Sequence, residues 1–178
     1  MKKTILLLLI SCFSFSGCEK DDICDANTVT TPRLVITFYD INNSTVEKNV
    51  TNLKIIADGM ENGIIYNGSD LINGSTVAIP LKVDAKTTTF HFILNDGNAN
   101  PALINEDILT FNYETENIFV SRACGFKTNY TLNPNSPNTD PPFVHTDAAT
   151  PDLLWMQYVA VENSNIANEN ETHLEIYF

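Results

Sequence analysis

Four cysteines, three histidines and a scatter of carboxylates are the residues of this 178-residue chain that could do chemistry. Nucleophilic catalysis needs a serine or cysteine with a base in reach. His91, His145 and His173 are dispersed, with no Gly-x-Ser-x-Gly elbow and no paired-histidine metal signature beside them. We read each as a surface residue and expect no catalytic constellation and no cofactor. Ser121-Arg122-Ala123-Cys124 sets a cation beside a thiol, which can lower a thiol pKa. A structural use of Cys124 is the simpler account. Calcium is a weaker candidate. "DGNANPALINED" puts Asp96, Asn98 and Asn100 at the first ligand positions of a calcium loop and Asp107 at its last. The sharp turn needs glycine at the sixth position, and Pro101 stands there with its φ locked near −65°. An acidic hairpin loop fits those residues better than a metal site.

The thiol at Cys18 carries the sharper signal. Lys2 and Lys3 precede the short apolar run "TILLLLISCFSFS", Thr4 to Ser16. It falls short of the roughly 20 helical residues that span a bilayer, and its flanks suit a cleaved export signal, residues 1–17. Phe15-Ser16-Gly17-Cys18 resembles the lipobox of bacterial lipoproteins. That resemblance implies a diacylglyceryl thioether on Cys18, cleavage before it, and acylation of the new amine by a fatty acid such as palmitate. Leu9-Ile10-Ser11-Cys12 fits the same pattern, but cleavage there leaves a shorter apolar run and strands "FSFSG" at the mature end. The expected tether, residues 18–31, begins with Glu19-Lys20-Asp21-Asp22. Such a composition keeps a segment soluble. It also resembles a surface-export signal of Bacteroidetes-type lipoproteins, which implies the outer membrane and its external face over its periplasmic one.

Loss of residues 1–17 leaves 161 residues, enough for one domain. The formal charge then moves from 10 basic against 22 acidic residues, −12, to 8 against 22, −14. An acidic chain with no basic stripe cannot displace counterions from a phosphate backbone, so nucleic acid is not an expected partner. Anionic lipid heads would repel it, which leaves the work of attachment to lipid. Membrane contact through that lipid, and another envelope protein, are the expected partners. After processing, Cys24 and Cys124 remain in a compartment that permits disulfides, and a bridge between them is the simplest pairing. Two separately buried thiols are the alternative.

The elements that must position these residues read as strands. "RLVITFYDI" is apolar on both faces, as a buried strand is. "TVAIPLKV" sets Val77, Ile79, Leu81 and Val83 on one face, with Pro80 marking an edge. "TTFHFIL" groups Phe90, Phe92 and Leu94 against His91. "DILTFNYE" and "NIFVSRA" read as a hairpin turning at Thr115-Glu116, followed by "FKTNYTL" with Phe126, Tyr130 and Leu132 packing inward. "DLLWMQYVAV" reads as a central strand with Trp155 in the core, and "THLEIYF" as the last strand. Tyr66 and Tyr113 read as exposed aromatics available to a ligand. Asn/Gly/Asp/Pro clusters between these runs are turns, and residues 133–151 read as an exposed loop. The expectation is one antiparallel β-sandwich or barrel-like domain, residues 32–178, on a lipidated tether.

"CEKDDIC", "TPRLVITFYD" and "SRACGFK" together resemble an uncharacterised lipoprotein family of Bacteroidetes-type bacteria. The resemblance covers Cys18 to Asp40 and Ser121 to Lys127. It implies a lipidated, mostly-β envelope protein with no assigned activity, and it supports the pairing of Cys24 with Cys124. Two functions are compatible with that: a non-catalytic envelope interaction or structural module, and an accessory that binds a glycan or another ligand at the cell surface.

Overall fold

A computed structural model describes residues 23–25, 28, 30–148 and 153–178. Cys12 and Cys18, with the expected leader and most of the expected tether, lie outside the described residues. The chain is all-β, two packed sheets that do not close into a barrel.

The first sheet is built around β1 (Leu34–Asp40), which pairs in parallel with the last strand, β12 (Leu174–Tyr177). On its other side β1 is shared lengthwise between β2 (Asn43–Glu47) and β5 (Thr76–Ile79). β10 (Tyr158–Val161) closes the far side against β12. Alternation explains β1: Leu34, Ile36 and Phe38 are fully buried, and Val35 and Thr37 on the opposite face are nearly so. Pro80 ends β5 as expected of an edge strand, and Val83 beyond it is exposed.

The second sheet runs β11 (Asn165–Ile166), β8 (Gly125–Leu132), β7 (Asn105–Ser121), β6 (Thr87–Leu94), β3 (Val50–Ala57), β4 (Ile72–Gly74). β9 (Phe143–Asp147) also pairs with β7. Phe90, Phe92, Leu109 and Phe111 form the inner face of this sheet, with Phe90 edge-on to both Phe92 and Phe111. Such geometry suits the aromatic quadrupole. Trp155 and Phe178 close the core over Phe38.

Several expectations are corrected. No turn forms at Thr115-Glu116: β7 is a single 17-residue strand, and Thr115 and Glu116 pair with Tyr130 and Asn129. Neither residue favours the left-handed backbone that a tight hairpin turn requires. The reversal falls at residues 122–124, with Gly125 at φ 71° and Ser121 Oγ accepting from the Cys124 amide at 3.0 Å. Phe126 lies outside the core, whereas Tyr130 and Leu132 are buried. Trp155 is buried but precedes β10; the amides of Trp155 and Met156 bond a carboxylate instead of a strand. β9 lies inside the expected 133–151 loop, because Asp and Pro around it mask a strand that β7 pairs. Sequence alternation does not mark β3, because Asn52, at φ 44°, bulges the strand where it meets β4.

Candidate functional site

The best-defined feature is a fastened pole. Cys24 and Cys124 form a disulfide, with S–S 2.02 Å and Cα–Cα 4.9 Å. It joins the N-terminal segment to the turn between β7 and β8. Closing a loop with sequence separation 100 stabilises the fold by up to about 4.7 kcal/mol in the chain-entropy account. The same segment is fixed twice more. Thr31 Oγ1 accepts from the Thr128 amide at 3.0 Å. Arg33 makes a two-pronged contact with Glu169, Nε to Oε1 at 2.9 Å and Nη2 to Oε2 at 2.6 Å. Its backbone amide adds a third bond to Oε1. That guanidinium, donating to the carboxylate, holds Glu169 below the usual range, and Glu169 raises Arg33 in return.

From this pole the β7–β8 ribbon runs into the molecule. β6 stops pairing with β7 at Asn112, and one further bond joins the Tyr113 amide to the Lys86 carbonyl. Beyond that, among the described residues, no strand pairs with β7 on that side. Residues Glu114 to Asn117 are exposed on an open backbone edge. Further out, Phe119 and Phe126 sit directly across from each other, ring centroids 5.4 Å apart.

The sequence singled out other residues, and they scatter. Asp107, the expected last calcium ligand, is fully buried in β7. Its Oδ2 bonds His145 Nε2 at 2.8 Å and the Met156 amide at 2.9 Å, and its Oδ1 takes the Trp155 amide at 3.3 Å. Asp96 faces Lys54 at 3.4 Å. Asn98 and Asn100 accept from the amides of Asn100 and Ala102, which shapes the loop around the 3₁₀ turn Pro101–Leu103. Asp96, Asn98, Asn100 and Asp107 therefore do not converge, and the calcium reading is withdrawn. Among the described residues, no three His, Cys, Asp or Glu side chains group as metal ligands.

The histidines are not all surface residues. His173 is fully buried, and Nδ1 accepts from the Val35 amide at 2.9 Å. Burial lowers its pKa, against the partial opposition of Glu171 and Glu169. His145 is held by Asp107. His91 bonds Glu106 at 2.6 Å on the outer face of the second sheet. The shallow groove beside that pair, about 310 Å³, is lined by Ile56, Asp58, Met60 and Ile93 and offers no hydroxyl or thiol nucleophile. Tyr113 is likewise buried, its hydroxyl bonded to Thr88 and to the Lys82 carbonyl, and burial raises its pKa. Tyr130 behind it is pushed up to about 12 by burial.

One concavity went unread in the sequence. A cleft of about 550 Å³ lies beside β4, lined by Tyr66, Asn67, Ser69, Leu71, Asn73 and Thr76. Tyr66 is partly exposed, and the Arg33 guanidinium stands 5.9 Å from its ring. The Tyr66 ring and the Asn67 carboxamide can stack on and hydrogen-bond a polar ligand, while the Asn73 carboxamide accepts from the Asn52 amide at 3.0 Å and donates to its side chain at 3.3 Å. The lining residues all fall within residues 66–76, in a spacing that follows no motif.

Comparison with curated proteins and with solved structures finds no match. Residues 52–178, from within β3 to the last residue and so including Cys124 but not Cys24, match the model of DUF6452, a family of unknown function, and the chain belongs to that family.

Proposed function

We propose that this protein is a lipoprotein of the bacterial outer membrane that acts without catalysis, as a module that recruits or braces another envelope protein. The observation that carries the reading is the Cys24–Cys124 bridge. A disulfide of this kind belongs to an oxidising compartment, as the Lys2-Lys3 leader and the Cys18 lipobox require. It also lies close behind Cys18, where an anchored domain needs mechanical fastening. The charged Glu19-Lys20-Asp21-Asp22 run favours the external face in a Bacteroidetes-type cell. The open edge of β7 supports the partner role, since a free edge offers amides and carbonyls for strand addition. A photo-crosslinking residue placed at Glu116 in intact cells should capture one discrete envelope protein. Capture of nothing from every position between Glu114 and Asn117 would sink the partner role.

The cleft at Tyr66, Asn67 and Asn73 favours a second reading, an accessory that binds a glycan or another polar ligand. A glycan array with the wild type and Tyr66→Ala separates the two. Binding that disappears in the variant would establish this reading, and uniform silence would remove it.

A further inference from the structure

We propose that the β7–β8 hairpin end rests on the membrane, with Phe119 and Phe126 buried at the lipid interface. The inference rests on the lipid-anchor reading and adds an orientation to it. Phe119 shares the alternate-residue face of β7 with Leu109, Phe111 and Tyr113, and Phe126 shares that of β8 with Tyr130 and Leu132. These two rings therefore occupy core-register positions on a ribbon that has outrun the opposite sheet. They are 58% and 69% exposed. Cross-strand aromatic pairing stabilises the ribbon but does not shield it from water.

The length of chain outside the described residues identifies the occupant. Six peptide steps separate Cys18 from Cys24, a reach of at most about 22 Å. β7, by contrast, has 17 residues and extends about 55 Å. The disulfide fixes Cys24 at the turn of that ribbon, two residues from Phe126. An acylated Cys18 therefore holds this pole, and not the opposite one, against the bilayer. Ile23, next to the bridge, is 80% exposed, and Arg122 is exposed at the turn. Aromatic and aliphatic side chains beside a cation match what the headgroup–acyl boundary accepts.

The test uses acylated full-length protein in zwitterionic phosphatidylcholine vesicles, with and without lipids brominated near the headgroup. Phe126→Trp places an indole at the pole, and exposed Tyr158→Trp is the control. Tyr158 lines the same groove as Asn133, seven residues along from Phe126 and so about 23 Å away along the ribbon. The buried Trp155 contributes a common background. We expect brominated lipid to remove roughly half or more of the emission added by Phe126→Trp, with a blue shift, and none of that added by Tyr158→Trp. Unquenched emission from Phe126→Trp, in protein whose mass shows acylated Cys18, would overturn the orientation and leave the anchor standing. Equal quenching of both variants would overturn it too, since the domain would then lie flat. An unacylated Cys18 in that mass would overturn the anchor and this inference with it.

Discussion

At the scale of single residues, two buried polar groups that the sequence did not advertise, Asp107 and His173, make hydrogen bonds between distant segments. Asp107 accepts from two backbone amides and from His145 with no exposure of its own, so it replaces strand pairing for the stretch around Trp155. Removing a buried acceptor leaves its donors unsatisfied, which costs more than the bond itself contributes. Asp107→Ala should lower unfolding stability by about 2–4 kcal/mol, measured by denaturant titration. The tryptophan emission should also shift towards that of an exposed indole.

His173 gives a pH signature. Its Nδ1 accepts from the Val35 amide, so the neutral ring carries its proton on Nε2, which has no hydrogen-bond partner among the described residues. Burial depresses its folded pKa below the ordinary 6.5, so the unfolded chain binds the extra proton first. The associated stability is complete above about pH 6.5 and is lost as pH falls through the lower folded value. Thermal unfolding between roughly pH 7.5 and 5 should show a falling midpoint, flatter in His173→Gln. An unchanged slope in that variant would assign the pH dependence elsewhere. Neither partnership was legible beforehand, because Asp107 meets His145 across 38 residues and Val35 meets His173 across 138. The cysteine pair was legible because only two thiols lie beyond the N-terminal apolar run and Cys18.

At the scale of elements, alternation was readable where both neighbours of a strand are regular. Leu34-Ile36-Phe38 and Phe90-Phe92 face the core as their spacing predicts, and Pro80 ends an edge strand. Reading failed where backbone geometry departs from sequence punctuation. β3 carries left-handed Asn52, β9 is hidden among Asp and Pro, and β7 continues through Thr115-Glu116 without a turn. Phe126 has the periodicity of a core residue, and only the extent of the opposite sheet leaves it exposed. The disulfide ties the hairpin's turn to the N-terminal segment, beside the bonds of Thr31 and Arg33. Replacing both Cys24 and Cys124 by serine should cost about 3–5 kcal/mol of unfolding stability. Hydrogen exchange should rise first at residues 30–33 and 121–126. Uniform protection there after the replacement would mean that Thr31 and the Arg33–Glu169 pair suffice.

At the scale of the whole molecule, three features underlie the proposed anchor: an apolar N-terminal run followed by the Cys18 thiol, an acidic chain that anionic headgroups would repel, and a disulfide six residues beyond that thiol. Net charge of −12, becoming −14 without residues 1–17, gives electrostatics no means of holding the protein at an anionic surface. In the proposed reading covalent lipid on Cys18 supplies the attachment, and the disulfide passes it to the sandwich within six residues of that thiol. In the proposed orientation the open edge of β7 stands between the bilayer and the body of the domain, where an envelope partner could add a strand. Non-reducing peptide mass spectrometry of the protein recovered from membranes tests this most directly. The account predicts a mature terminus at Cys18 carrying acyl chains, together with a Cys24–Cys124 cross-linked peptide. A mature terminus without acyl mass, or an intact leader with both thiols free, would contradict it.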